Sequence, residues 1–397
     1  MITVEQALKL VARETQALKA ERIPLEDALG CVLAEDIIAD TDMPPFDRSQ
    51  MDGYAVKAAD TKNAPVSLNL VGESAAGRGW HKTLKAGEAV RIMTGAPLPS
   101  GADAVQKIEL TSEDGNTVTI KEPTSSGRYI VHKGKEIKKG KVVLKTGTRI
   151  TPNNIAVPAA FGYAKLRLAK RPRVAILSTG TEIVDIAKRP KRDQIRNSNS
   201  IMLKSLCEEA GVETTILPHV GDDLSDLKTQ ISNAARTADV LITTGGVSVG
   251  KYDLTKFALR ELGAEIFFER LRLKPGKPSV FAKLKKTLIF GLPGNPVSAA
   301  VTYYLFIRSA LTRMQSAREP ELKKGTAITS KPVKAPKERD AYLPASLSTN
   351  ANGSIIADPV DWHGSSDFIG FARTDALLVV KRGTKIESGS PVQLLFL

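Results

Sequence analysis

Three short segments carry the residue types of an anion-binding surface. They are Ser178-Thr179-Gly180-Thr181-Glu182, Thr243-Thr244-Gly245-Gly246-Val247-Ser248-Val249-Gly250 and Gly291-Leu292-Pro293-Gly294-Asn295-Pro296. Glycine lets backbone N–H groups come close to an anion, and a helix that follows presents its positive N-terminus to it. Any one such loop is commonly no more than a tight turn. Three at corresponding strand ends of one domain point to a ligand site, because open α/β sheets bind ligands beyond the carboxyl ends of their strands.

The second loop nearly matches two other motifs. Gly245-x4-Gly250-Lys251 fits a phosphate-binding P-loop until Tyr252, which stands where a hydroxyl should ligate magnesium. Gly246-Val247-Ser248-Val249-Gly250 fits a hydrolase nucleophile elbow. The elbow needs a later histidine, and His363 in the tail is the only one after Ser248. Both readings are set aside.

Arg270, Arg272, Lys274 and Lys277 crowd a segment stiffened by Pro275, Gly276 and Pro278. A solvated basic loop is the plain alternative. Stiffness favours a phosphate or oxyanion site, since preorganised cations lose less entropy on binding. Glu182, Asp222, Asp223 and Asp253 fall near the same strand ends. One or two of these carboxylates, with substrate phosphates and water, would hold magnesium. Asp222, Asp223 and Asp253 each precede a predicted helix, so capping is their other reading. Zinc is not indicated, because the cysteines are isolated and the four histidines lack ligand spacing.

The elements that must position these residues follow from periodicity. An amphipathic helix is expected over 3–19, opened by a capping box of Thr3 and Gln6. Short strands and turns are expected over 54–140, with a hairpin of 105–108 and 118–120 about Asp114-Gly115-Asn116. From 174 the pattern alternates. Strands at 174–177, 214–218, 239–243 and 288–290 are interleaved with helices at 200–210, 224–235, 254–262 and 297–311. That alternation implies parallel βαβ units. The tail from about 316 returns to short strands. The fold class expected is α/β: a central parallel-sheet domain flanked by mainly β modules in a multi-domain, elongated chain.

Composition sets the outer bounds. The 397 residues fit two to four domains, and 42% hydrophobic residues suffice for real cores. Only two cysteines, Cys31 and Cys207, exclude a disulfide framework and suit a reducing cytoplasm. The first helix carries charges and no continuous apolar stretch, unlike a signal peptide. No apolar run approaches the ~20 residues of a membrane span. A net charge of +14 attracts phosphorylated metabolites, oxyanions or nucleic acid. With aromatics at 5%, a base-stacking platform is not indicated, and nucleic acid is not expected as a partner.

At these residues the chain resembles the molybdopterin molybdenumtransferase family, the bacterial molybdenum insertases related to the enzymatic end of gephyrin. The likeness rests on 44–56 (Pro44-Pro45-Phe46-Asp47-Arg48-Ser49-Gln50-Met51-Asp52-Gly53-Tyr54-Ala55-Val56), on Ile92-Met93-Thr94-Gly95-Ala96-Pro97, on the three loops above with Asp253, and on Lys274-Pro275-Gly276-Lys277-Pro278. It runs over nearly the whole chain, and the order of the motifs makes it specific.

The resemblance implies four modules: a split one at 1–47 and 141–170, an inserted β-rich one at 48–140, a central molybdopterin-binding one at 171–315, and a β module at 316–397. It implies insertion of molybdenum from molybdate into adenylylated molybdopterin with release of AMP, assisted by magnesium. A homodimer is implied, with a molybdopterin adenylyltransferase and acceptor molybdoenzymes or their chaperones as partners.

Asp52 and Thr94 match residues of the family's cleft, which lies between the central domain of one subunit and parts of the other. Arg339 and Ser365 match an arginine and a serine of its oxyanion site. Ser178, Thr179, Gly180, Gly245, Gly246, Val247, Ser248, Pro293, Gly294, Asn295 and Pro296 would bind the pterin and its phosphates. Lys274 and Lys277 would neutralise phosphate charge, and Asp253 with Glu182, Asp222 or Asp223 would place magnesium. The family usually has asparagine and arginine where Tyr129 and Val131 stand, and polar residues where Ala341 and Pro344 stand.

The strongest rival is an adenylyltransferase acting one step earlier, whose fold resembles the central domain alone. The flanking modules argue against it. A pterin-binding scaffold without chemistry is a second rival, opposed by the intact Asp253 and Lys274, and charge-driven nucleic-acid binding a third, opposed by the lack of aromatic platforms and of a helix-turn-helix signal.

Overall fold

Alternating apolar residues on short strands build the first sheet of the computed structural model, which describes residues 1–246, 254–361 and 363–397. The chain divides into two compact units. One comprises Asp36–Lys145 and Ala156–Ala164; the other comprises Met1–Glu35, Thr146–Ile155 and Lys165–Leu397.

The smaller unit holds strands β1 (Gly53–Val56), β2 (Val66–Ser74), β3 (Glu88–Ile92), β4 (Ala104–Lys107), β5 (Thr111–Asp114) and β6 (Thr117–Ile120). They form one sheet in the order β4-β1-β3-β2-β6-β5. Successive residues of β1 face opposite sides: Tyr54 and Val56 enter one buried cluster, Ala55 the other. The expected hairpin is displaced by one strand. Its turn at Gly115, with φ +57, joins β6 to β5, whereas 105–107 lie in β4 beside β1. Gly53 makes that pairing possible, since a Cβ there would lie 2.0 Å from the Gln106 carbonyl oxygen.

In the larger unit, α1 (Val4–Glu14) opens with the capping box of Thr3 and Gln6 and buries Val4, Ala7 and Val11. It stops short of residue 19. Thr15 is extended, its hydroxyl donates to the Val11 carbonyl at 2.6 Å, and the Leu18 N–H donates to the Met314 carbonyl at 2.8 Å. The chain then forms an antiparallel ribbon, Ala20–Pro24 with Lys165–Ala169.

The central sheet follows with β7 (Arg173–Ser178), α2 (Ser198–Glu209), β8 (Glu213–Ile216), α3 (Leu224–Thr237), β9 (Val240–Thr244), α4 (Leu254–Glu261), β10 (Glu265–Phe268), β11 (Val280–Leu284) and β12 (Thr287–Leu292). Helix α5 (Pro296–Thr302), a π-helical turn (Tyr303–Ile307) and α6 (Arg308–Met314) complete it.

The strand order is β8-β7-β9-β12-β11-β10. The first four are parallel; β7, β9 and β12 are buried on both faces, β8 is a half-exposed edge, and β11 and β10 join antiparallel on the other side. The sheet is therefore mixed rather than wholly parallel. Its β11–β12 turn uses Lys285 at φ +56, a position usually signalled by Asn or Gly, so the pattern does not show in the sequence.

The last module is a β-sheet of β13 (Lys324–Thr329), β14 (Asp340–Thr349), β15 (Ile355–Pro359), β16 (Ala376–Val380) and β17 (Pro391–Phe396). Ala341 and Pro344 lie in β14; Ala341 is fully buried in that module's core, which accounts for an apolar residue there. No helix among the described residues is long and apolar enough to cross a membrane.

Candidate functional site

Parallel pairing sets Ser178, Thr244 and Leu292 side by side at the ends of β7, β9 and β12. The three loops expected to bind a ligand therefore open on one edge. They line a cavity of about 760 Å³ that includes Ser178, Thr179, Glu182, Gly245, Gly294, Asn295 and Pro296. The close fit needs glycine at 245, where φ is +94 and a Cβ would lie 2.3 Å from the Thr179 carbonyl oxygen. Gly180 and Gly246 also have positive φ.

The floor of this cavity is hydrogen-bonded by residues that the sequence reading missed. The Asn197 amide donates to the Ser178 hydroxyl at 2.9 Å, and the His219 ring Nδ1 lies 3.3 Å from the same hydroxyl. The Asn199 amide donates to Thr244 Oγ1 at 2.9 Å and to the Gly294 carbonyl at 2.7 Å, joining two loops. Asn197-Ser198-Asn199 before a helical pattern signals only a cap, and Asn197 does cap α2. Thr179 Oγ1 and Asn199 Oδ1 are buried without a hydrogen-bond partner among the described residues. Ile183, Ile186, Ile195 and Phe368 make the rim apolar. A polar floor under an apolar rim suits a flat heterocycle read along its edge.

A second cavity, of about 540 Å³, is lined by Lys274, Lys277, Lys334 and Arg339, with Pro293, Asn295 and Ser365. Parallel pairing of Leu273–Lys274 with Asp340–Ala341 sets Arg339 near Lys274. The Leu271 N–H donates to the Lys277 carbonyl at 2.9 Å and closes the basic loop. Gly276, at φ +112, packs against Leu273 and Thr302. Among the described residues, no carboxylate pairs with any of the four cations. Asn295 lines both cavities.

The carboxylates are partly committed. Asp223 caps α3 by accepting from the Asp226 N–H, as its alternative reading anticipates. Asp222 Oδ2 accepts from the Thr181 hydroxyl at 3.1 Å. Glu182 is exposed at the first cavity. Among the described residues, no three His, Cys, Asp or Glu side chains form a metal-holding group. Two such carboxylates are too few for an all-protein cage, and a cation here would need most of its oxygen ligands from substrate phosphates and water. Val247, Ser248 and Asp253 lie outside the described residues.

Asp52 and Thr94 belong to the smaller unit, apart in sequence but in contact. The Asp52 carboxylate accepts from the Thr94 N–H at 2.6 Å and from its hydroxyl at 2.9 Å. Those two donors, the N–H foremost, hold the Asp52 carboxyl below the usual carboxylate range. In the same unit Glu136 pairs with Arg48 at 3.0 Å, and the Arg128 guanidinium lies over the Tyr129 ring.

Comparisons with known proteins cover this whole layout. Residues 2–162 match the MoeA N-terminal region (domain I and II), residues 175–313 a probable molybdopterin binding domain, and residues 326–397 the MoeA C-terminal region (domain IV). A Bacillus subtilis (strain 168) protein named molybdopterin molybdenumtransferase is 36% identical, over 100% of this chain and 94% of its own. One of the same name from Staphylococcus aureus (strain COL) is 34% identical, over 99% and 95%. The solved structure of the molybdopterin biosynthesis moeA protein from Pyrococcus horikoshii OT3 matches with a TM-score of 0.85 at 29% identity, covering all of both chains. A second solved structure, titled as the same protein from Pyrococcus horikosii, matches with a TM-score of 0.80 at 32% identity.

Proposed function

The chain belongs to the molybdopterin molybdenumtransferase family, and from that premise we propose how its two cavities divide the work of inserting molybdenum during molybdenum cofactor biosynthesis. The observation that carries the division is Asn295, which lines both. The cavity with the polar floor takes the pterin of adenylylated molybdopterin. Ser178, Thr179 and Asn199 meet its heteroatoms, and Gly180, Gly245 and Gly246 let backbone N–H groups approach its phosphates. The cationic cavity next to it takes molybdate through Lys274, Lys277, Arg339 and Ser365.

Adjacent sites place the metal oxyanion beside the dithiolene sulfurs that receive it, replacing a bimolecular encounter with a held geometry. Lys274 and Lys277 also stabilise the charge that develops on the pyrophosphate when water cleaves it and AMP leaves. Asp253, with Glu182 or Asp222, is the magnesium position in this reading; magnesium, when bound, withdraws charge from the phosphoryl oxygens. Asp52 and Thr94 serve the same reaction. The protein works in the cytoplasm as a homodimer, receiving its substrate from an adenylyltransferase and passing product to molybdoenzymes or their chaperones. The modules divide at 1–47 with 141–170, 48–140, 171–315 and 316–397.

The test supplies purified protein with adenylylated molybdopterin, molybdate and magnesium. AMP release and metal incorporation should both require molybdate. Absence of any molybdate-dependent product sinks the reading. Light scattering at micromolar concentration should give a dimer, whose interface would exceed about 2,000 Å²; monomer alone removes that part.

A further inference from the structure

Asparagine is among the strongest residues at the position before a helix, where its side chain normally accepts from a first-turn N–H. Asn295 stands at that position before Pro296, yet its side chain makes no capping hydrogen bond. Its amide instead donates to the hydroxyl of Ser365 at 2.8 Å. The backbone of Ser365 does the capping: its carbonyl accepts from the Val297 N–H at 3.1 Å. The start of α5 thus grips Ser365 at two points, one on the main chain and one on Oγ.

That grip sets the polarity of the hydroxyl. A hydroxyl has one proton to give and lone pairs that accept. With a lone pair occupied by the Asn295 amide, which can only donate, the Ser365 proton is left for another acceptor. Ser365 lines the cavity of Lys274, Lys277, Lys334 and Arg339. A tetrahedral oxyanion has acceptor oxygens only, so every group around it must donate. Asn295 is itself exposed and lines the neighbouring cavity as well.

Resting on the assignment of the cationic cavity to molybdate, we infer that Asn295 is a positioning residue that fixes the Ser365 hydroxyl as a hydrogen-bond donor to the oxyanion. It acts through Ser365 and touches no substrate metal itself. An ordinary cap role is the competing account, and the two differ in what they predict. A cap residue changed to alanine destabilises the helix, and aspartate, an equally good cap, restores it. A positioning residue leaves stability alone and changes anion affinity.

The experiment is titration calorimetry of the full-length protein with molybdate alone, with melting temperatures measured in parallel. Asn295→Ala should weaken molybdate binding roughly two- to twelvefold, the worth of one hydrogen bond, with the melting temperature unchanged. Ser365→Ala should weaken it at least as much. The double variant should bind like Ser365→Ala alone, because Asn295 has then lost the group it acts through. Additive losses in the double variant would overturn the inference by showing that Asn295 meets the anion directly. A lower melting temperature for Asn295→Ala, restored by Asn295→Asp, with molybdate affinity unmoved would overturn it in favour of a cap. Failure of the wild-type protein to bind molybdate would remove the cavity assignment as well as this inference, whereas wild-type binding with a silent Asn295→Ala removes the inference alone.

Discussion

A Cβ built on Gly276 would stand 2.9 Å from the hydroxyl oxygen of Thr302, so the basic loop lies directly on the helix that follows β12. The turn that carries Lys274 and Lys277 to the second cavity is thus packed on that helix, beside the Leu271–Lys277 hydrogen bond that closes the loop. The Ser279 hydroxyl, which donates to the Gly276 carbonyl at 2.7 Å, fixes the same turn. Gly276→Ala meets both the positive φ of +112 and this close approach. We expect it to cost about 2–5 kcal/mol of stability and to weaken molybdate binding as the two lysines shift. Melting curves with calorimetric titration check this; a variant as stable and as tight-binding as wild type would show that the contact is not needed.

Asn199 joins two of the three ligand loops through Thr244 Oγ1 and the Gly294 carbonyl. Asn199→Asp keeps the size and removes both donors, leaving a carboxylate facing a carbonyl. Losing two hydrogen bonds should cost roughly 1–3 kcal/mol in affinity for adenylylated molybdopterin. Equilibrium binding of the nucleotide-linked pterin, wild type against variant, measures it. An unchanged dissociation constant would exclude Asn199 from the site.

Much of this layout is legible in the sequence, and the parts that are not have physical reasons. The three loops are readable because small residues follow apolar runs, and the parallel register that unites Ser178 with Thr244 is the ordinary consequence of βαβ units. Lys274, Lys277 and the stiffness of their loop follow from local composition. Lys334 does not, because a lone lysine in a β-rich tail looks like any solvated charge until tertiary pairing brings it to the cavity. Asn197 and Asn199 are hidden for a related reason. A cap at Asn197 and a first-turn helical place for Asn199 account for both locally, while their bonds to Ser178 and Gly294 span 19 and 95 residues. The antiparallel strands β10 and β11 are not legible in the sequence, because the turn into β12 uses Lys285 where a glycine would announce it.

The Asp52–Thr94 contact makes a pH-dependent prediction. The Thr94 N–H, and after it the Thr94 hydroxyl, hold the Asp52 carboxyl below the ordinary aspartate range. A depressed folded-state pKa contributes stability above the unfolded value, and that contribution is lost as pH falls through the folded one. Wild type should therefore melt above Asp52→Asn near neutral pH, and the gap should narrow as the pH falls below the ordinary aspartate range. A gap that stays constant from neutral pH into strong acid would mean the carboxylate charge is not what the Thr94 donors stabilise.

The last prediction separates binding from stability in the cationic cavity. Lys274, Lys277, Lys334 and Arg339 line it, with no carboxylate partner among the described residues. A structural lysine is normally paired, and its loss lowers stability. Here four like charges line one cavity, so removing one costs no ion pair among the described residues while it weakens the attraction for an oxyanion. Lys274→Ala should accordingly melt at the wild-type temperature or slightly above it. Its molybdate affinity should fall on the order of three- to tenfold at low ionic strength. The affinity loss should shrink as salt rises, because Lys274 is exposed and salt screens exposed charges over about 10 Å at 0.1 M. Lys334→Ala should show the same signs, which tests a residue that no sequence motif singled out. The measurement is calorimetric titration with molybdate across a salt series, paired with melting curves in the absence of the anion. A clear drop in melting temperature with unaltered affinity would reverse the assignment and make Lys274 a structural residue of the loop.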